Sequence, residues 1–162
     1  MARTRVEDLV DDDRITVAGL LAEANAALNC HLERELADEG LALTWYEVLV
    51  RLGRTPGGRL RMSDLANAVS LTTSGTTRLV DRIEAAGLIE RQACATDRRV
   101  AYAALTDKGR EVLARTTPVH VDGIQRHLVD TLDAGEVRDL ERLLRKVRDA
   151  NWASAPVPPS AP

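Results

Sequence analysis

Between Ser63 and Leu105 the apolar residues change period twice, and few small folds accommodate two such changes in so short a span. Ser63 is placed to cap a short helix running from Asp64 to Val69, with Asp64 favourable in a first turn whose free N–H groups carry partial positive charge. Ser70, Leu71 and Thr72 interrupt that pattern. From Thr73 to Ala86 the residues Thr76, Leu79, Val80 and Ile83 fall at i, i+3, i+4 and i+7, which predicts a second helix, and Gly87 stands where a left-handed C-terminal cap is needed. Leu88 to Gln92 and Val100 to Leu105 then read as the strands of a hairpin with a charged tip at Thr96-Asp97-Arg98-Arg99. Two helices joined by a tight turn and followed by a hairpin make a winged helix-turn-helix.

Helices flank this unit on both sides. Leu21, Leu28, Leu32 and Leu36 recur at helical spacing from about Arg14 to Asp38, and Gly40 ends the run. Thr44 and Glu47 have the spacing of a capping box for a second helix, whose apolar side is Val48, Leu49 and Leu52. Thr55-Pro56-Gly57-Gly58 turns the chain into a brief strand from Arg59 to Met62. After Thr106 a long helix is expected, with Leu113, Val121, Ile124, Leu128 and Leu132 on its buried side and a kink at Pro118. A last helix from about Ala134 to Ala150 carries Val137, Leu140, Leu144 and Val147 on one stripe. The expected fold class is therefore mainly α: a winged helix-turn-helix over 41–105 with a wing of two to three short strands, and long dimerisation helices over 14–40 and 106–150. Residues 1–13 read as a flexible N-terminus, and the Pro-rich 151–162 as a disordered tail.

Composition narrows the function. With 44% apolar residues but only two Trp, two Tyr and no Phe in 162 residues, the core is aliphatic, which suits packed helices better than an aromatic-rich barrel. The net charge of −3 excludes a globally basic nucleic-acid binder. Locally the balance reverses: from Arg59 to Arg99 seven Arg face five acids, leaving the remainder at −5. No apolar run approaches a membrane span and no signal peptide is recognisable, so a cytoplasmic protein is expected. Cys30 and Cys94 have neither metal-ligand spacing nor the setting of a structural disulfide. There is no P-loop, no GxGxxG after a strand and no HExxH, and His120 and His127 share a helix without an evident third ligand, so neither an enzyme, a metal nor a cofactor is expected.

If Thr76, Leu79, Val80 and Ile83 point inward, then Thr73, Ser74, Thr77, Arg78 and Asp81 point outward. Short hydroxyls with an Arg suit a helix pressed into the major groove of double-stranded DNA, and Thr72 and Arg82 flank the same surface. At the hairpin tip Arg98 and Arg99 have the reach to enter a minor groove, while Asp97 and Asp81 are placed to hold guanidiniums of the wing in position.

The run Leu79-Val80-Asp81-Arg82-Ile83-Glu84-Ala85-Ala86-Gly87-Leu88-Ile89-Glu90-Arg91, then Asp97-Arg98-Arg99 and Leu105-Thr106-Asp107-Lys108-Gly109, resembles the signature of the MarR family of bacterial transcriptional regulators. Leu43-Thr44-Trp45-Tyr46-Glu47-Val48-Leu49 is similar to the opening of that family's second helix. The resemblance implies a homodimer with interlocked first, fifth and sixth helices, reading a pseudo-palindromic operator and usually repressing. It also implies a small effector in a crevice beside the DNA-binding lobe, for which His31, Glu35, Trp45 and Tyr46 are the candidates by position. Thiol-sensing relatives carry a reactive Cys near the start of the first helix, whereas Cys30 lies well along it. A thiol-based redox-sensing regulator and a winged helix that binds protein instead of DNA are the alternatives.

Overall fold

A computed structural model of the chain describes residues 6, 10–69, 73–93 and 100–152. The elements run in the order α1 (Asp13–Asp38), α2 (Leu43–Gly53), a 3-10 turn (Pro56–Gly58), β1 (Arg59–Arg61), α3 (Met62–Ala68), α4 (Thr73–Ala85), β2 (Ile89–Ala93), β3 (Ala101–Leu105), α5 (Asp107–His127), a second 3-10 turn (Val129–Thr131) and α6 (Ala134–Trp152). The architecture is mainly helical, with a three-stranded antiparallel sheet in the order β1-β3-β2. Among the described residues no helix is long and apolar enough to cross a membrane.

Local chemistry sets most of the boundaries. Asp12 caps α1, accepting the Arg14 N–H at 2.8 Å. At its other end Gly40 adopts φ 75°, so that the Leu41 N–H reaches the Leu36 carbonyl and the Gly40 N–H that of Ala37. Gly87, at φ 74°, closes α4 through the same pair of bonds, from Leu88 to Ile83 and from Gly87 to Glu84.

Two expected caps are corrected. Thr44 lies inside α2, whose N-cap is Ala42 without a side-chain bond. Starting the helix at Leu43 puts that side chain and Tyr46 into the core, and this burial outweighs one capping bond. Ser63 likewise lies inside α3, because β1 pairs with β3 up to Arg61 and the helix begins as the ladder ends, leaving no linker residue.

The sheet packs Leu60, Ile89, Ala103 and Leu105 toward the helices, with Ile89 opposite Leu105 and Ala93 opposite Ala101. Thr106 then joins three elements. Its hydroxyl accepts the Gly109 N–H at 3.0 Å, capping α5, and donates to the Gly87 carbonyl at 2.7 Å. Lys108 Nζ reaches the Ala86 carbonyl at 2.8 Å, and a Cβ at Gly109 would overlap the Leu88 carbonyl oxygen. Thr-Asp-Lys-Gly is thus a clasp that seats the start of α5 on the end of α4.

The expected buried side of α5 needs correction. Val121 is 54% exposed, whereas Thr116 and Gly123 are buried and His120 and His127 half-buried. The inward face runs through Gly109, Leu113, Thr116, His120, Gly123 and His127, a helical stripe built partly from small and polar residues. A Cβ at Gly123 would collide with the Glu35 carboxylate and come within 2.8 Å of Leu32, so glycine permits the close approach of α1 to α5. The helix is continuous through Pro118.

Candidate nucleic-acid interface

Helix α4 divides as its periodicity predicts. Thr76, Leu79, Val80 and Ile83 are buried, while Thr77, Arg78, Asp81 and Arg82 are exposed. Thr73 and Ser74 form its first turn. Thr72, Asp97, Arg98 and Arg99 lie outside the described residues.

The exposed face is tied to the wing by Arg91. On β2, Arg91 shares the inward side of the strand with Ile89, so its guanidinium projects toward α4. There Nη2 donates to Asp81 Oδ1 at 2.5 Å, Nη1 pairs with Glu84, and the Arg91 backbone N–H donates to Glu84 Oε1 at 2.9 Å. The two carboxylates raise the guanidinium's pKa, with the Asp81 bond the largest cause. Asp81 is therefore joined to a wing strand, and its charge is compensated. Among the described residues neither Arg78 nor Arg82 has an ion-pair partner. The face consequently offers free guanidiniums beside a clamp in which one guanidinium is shared by two carboxylates. Arg91 was not among the expected site residues; the legible signal was its place two residues after Ile89 on the same side of the strand, with Asp81 and Glu84 one turn apart on α4.

A second feature lies between α1, α2 and α5. A cleft of about 250 Å³ is bordered by Leu32, Tyr46, Arg51, Arg54 and His120, and an adjoining one of about 310 Å³ shares Tyr46, Arg54 and His120. Tyr46 is buried, its ring 4.3 Å from that of His120 and its hydroxyl 3.5 Å from Thr117. Arg51 Nε and His120 Nδ1 are buried with no hydrogen-bond partner among the described residues. Burial lowers the pKa of both groups; nearby Glu47 partly opposes this for Arg51, and Glu35 does so for His120.

A family model described as the MarR family matches residues 39–100. The fold is similar to that of AbsC, a MarR family transcriptional regulator from Streptomyces coelicolor, with a TM-score of 0.79 and 32% identity over 92% of this chain and 97% of that one. It is also similar to Sco3205, a MarR family regulator from the same organism solved in complex with DNA, with a TM-score of 0.77 and 34% identity over 93% and 91% of the two chains. The chain belongs to the MarR family of transcriptional regulators. Another relative, the transcriptional regulator MhqR of Bacillus subtilis, is 29% identical over 128 residues, 79% of this chain and 86% of its own.

The four positions expected for a MarR effector do not form one site. Tyr46 borders the clefts. Trp45 packs half-buried against the core. His31 and Glu35 form a separate cluster with Arg126 and His127. Arg51, Arg54 and His120 border the cleft instead, and no simple pattern of spacing brings them together. Cys30 is exposed on α1, its Sγ 3.9 Å from Arg34, and Cys94 lies outside the described residues.

Proposed function

We propose that the protein is a homodimeric, ligand-responsive repressor that binds a pseudo-palindromic operator in double-stranded DNA. The observation that carries this reading is the exposed face of α4, where Arg78 and Arg82 stand without ion-pair partners among the described residues, beside the Arg91 clamp. Placed in a major groove, Thr77 and Arg78 reach base edges and phosphates, and Thr72, Thr73, Ser74 and Arg82 line the approach. Asp81 and Asp97 position the wing, whose Arg98 and Arg99 enter the flanking minor groove.

Dimerisation is supported by apolar surface that one chain leaves uncovered. Val17, Leu20 and Leu21 on α1 are all more than half exposed, and Leu143, Leu144 and Val147 form an exposed stripe on α6. Leu32 and Leu36 are the buried residues of the 26-residue α1, and the apolar residues before Leu28 are left uncovered by the described residues. Apolar stripes of this length are covered by a second chain. Two lobes also provide the discrimination that one cannot, since a single base pair contributes only about 1–3 kcal/mol.

The cleft fits a small acid with an apolar body. Arg51 and His120 border it beside Leu32 and Tyr46, each with a buried nitrogen that has no hydrogen-bond partner among the described residues. Such a ligand releases the operator only to the extent that it prefers a spacing of the recognition helices that does not match the DNA.

Selection of bound duplexes from a random pool tests the reading. The expected result is a two-fold symmetric site whose affinity falls linearly in log–log terms with salt, by about 0.9 per phosphate contacted. No enrichment, or a salt-independent interaction, would favour a winged helix that binds protein. Loss of binding on mild oxidation, absent in a Cys30→Ser, Cys94→Ser chain, would favour the redox-sensing alternative.

A further inference from the structure

The wing sheet has a second face that the operator contacts described above do not use. Leu60, Ile89, Ala103 and Leu105 point toward the helices, so alternation along each strand puts Arg59, Arg61, Glu90, Gln92, Tyr102 and Ala104 on the opposite face. The register arranges them in two rungs. Arg61, Tyr102 and Gln92 share the rung nearer the segment that connects β2 to β3, and Arg59, Ala104 and Glu90 share the rung behind it. Arg59 does not stand straight out from its own rung. Its Cζ lies 5.2 Å from the centre of the Tyr102 ring, so the guanidinium is carried forward over the aromatic face onto the rung of Arg61.

The core does not require this arrangement. Both arginines are exposed, and Tyr102, one of two Tyr in a chain without Phe, is half-buried outside the buried apolar cluster. Glu90 is the acid of this face. It lies across β3 from Arg59, two strand spacings or about 10 Å away, and accepts a bond from Gln92 Nε2 at 2.7 Å. Among the described residues Arg59 has no ion-pair partner, and its guanidinium rests on Tyr102 instead. A carboxylate would hold the guanidinium and offset its charge, as Asp81 and Glu84 do for Arg91. An aromatic ring holds it and leaves the charge available to an anion.

Reach decides which anion meets it. In the operator reading Arg99 enters a minor groove, which is about 7.5 Å deep. Tyr102 follows Arg99 by three residues, at most about 11 Å of chain. With Arg99 in the groove, the Tyr102 rung therefore stands no more than a few ångströms above the phosphates on the groove's lip. The helices occupy the other side of the sheet, so this face looks along the duplex away from the major groove that α4 fills.

We propose that the outer face of the wing sheet is a second phosphate-binding surface, on which Arg59, stacked on Tyr102 beside Arg61, holds the DNA backbone beyond the minor groove that the wing enters, once on each flank of the operator; this rests on the operator-binding reading above. The length of DNA covered then exceeds the length that is read. Flanking phosphates add affinity and salt dependence without adding base preference.

The test uses the full chain with two forms of the duplex selected from the random pool. One is trimmed to end at the minor grooves that the wings enter, and the other is extended by about six base pairs on each side, enough for the flanking phosphates. The parent, Arg59→Met and Arg59→Lys are titrated with both between about 50 and 200 mM salt. The parent should bind the extended duplex at least about fivefold more tightly at the lowest salt, with a log–log slope steeper by about 1.8, one phosphate from each lobe. R59M should lose that steepening on the extended duplex and match the parent within about twofold on the trimmed one, while R59K, which keeps the charge, should restore the slope. A lower Tm in R59M with equal weakening on both duplexes would mean that Arg59 only supports the fold, and overturns the proposal. Equal binding of the two duplexes by the parent, or an unchanged R59M slope on the extended one, also overturns it, leaving the operator reading intact and this face to an acidic protein segment. If no duplex binds, the operator reading and this surface fail together.

Discussion

Replacing Arg91 with Met tests whether the guanidinium on β2 positions the DNA-binding surface or contacts DNA itself. Met keeps the length and apolar stem of the side chain and removes the charge. The substitution breaks the pairs with Asp81 and Glu84 but retains the Arg91 backbone bond to Glu84. Partly exposed pairs of this kind contribute about 0.2–1 kcal/mol each, and the two carboxylates left one turn apart repel by a few tenths more. The expected loss of stability is about 1–2 kcal/mol, which lowers the Tm of a chain this size by about 2–8 °C.

Operator affinity should suffer as well. Two uncompensated carboxylates beside Arg78 and Arg82 face the phosphates, at about 0.4 kcal/mol per charge pair at 10 Å in water, and the wing loses its tether to α4. Together these predict a fivefold to tenfold weaker complex, roughly 1–1.4 kcal/mol. Titration of the selected duplex at several salt concentrations separates the two roles. A positioning residue weakens binding at every salt while leaving the log–log slope within about half a unit of the parent's. A slope smaller by about 0.9 would mean that Arg91 itself neutralises a phosphate, and the clamp reasoning would be wrong. A cycle with Asp81→Asn checks the coupling: additive losses would show that the pair acts through no shared term.

Arg78→Ala should behave in the opposite manner, leaving stability within about 0.5 kcal/mol but reducing the salt slope by about 0.9; an unchanged slope removes Arg78 from the phosphate contacts. Gly109→Ala forces a Cβ into the Leu88 carbonyl and should cost about 3 kcal/mol, read as a Tm lower by about 6–12 °C, whereas an unshifted Tm would contradict the close approach of α5 to α4. Leu144→Glu on the exposed stripe of α6 should raise the dimer dissociation constant at least tenfold or so by sedimentation equilibrium, and an unaltered mass distribution would place the dimer contact elsewhere. Burial lowers the His120 pKa from 6.5, so the unfolded chain binds more protons there and stability falls as pH drops below that value. Urea unfolding at pH 7.5 and 5.5 should therefore show a smaller acid loss in His120→Gln than in the parent; equal losses would mean that His120 is not held neutral by the fold.

Which parts of this molecule were legible in the sequence follows from how each part is held together. The stripe Thr76, Leu79, Val80 and Ile83 was readable because α4 buries one face against an apolar core, and burial of that kind leaves a period in the residues. Gly40 and Gly87 were readable because a left-handed cap demands its residue locally. The start of α2 was misplaced by two residues because its local signal, Thr44 with Glu47, competed with the burial of Leu43, which depends on distant partners. Failure was greatest on α5, where hydropathy selected Val121 while the packed stripe contained Thr116, His120, Gly123 and His127. A polar residue enters a helix contact only when a particular partner from another element satisfies it, and spacing along one chain segment contains no record of that partner. The same reason dispersed the expected effector residues: Tyr46 reached the cleft through its place on α2, whereas Glu35 was drawn away by Arg126 and His127 from a helix about ninety positions later. Those polar contacts are also the ones that protons or a small acid can alter, so the surfaces hardest to read from periodicity are the ones on which regulation can act.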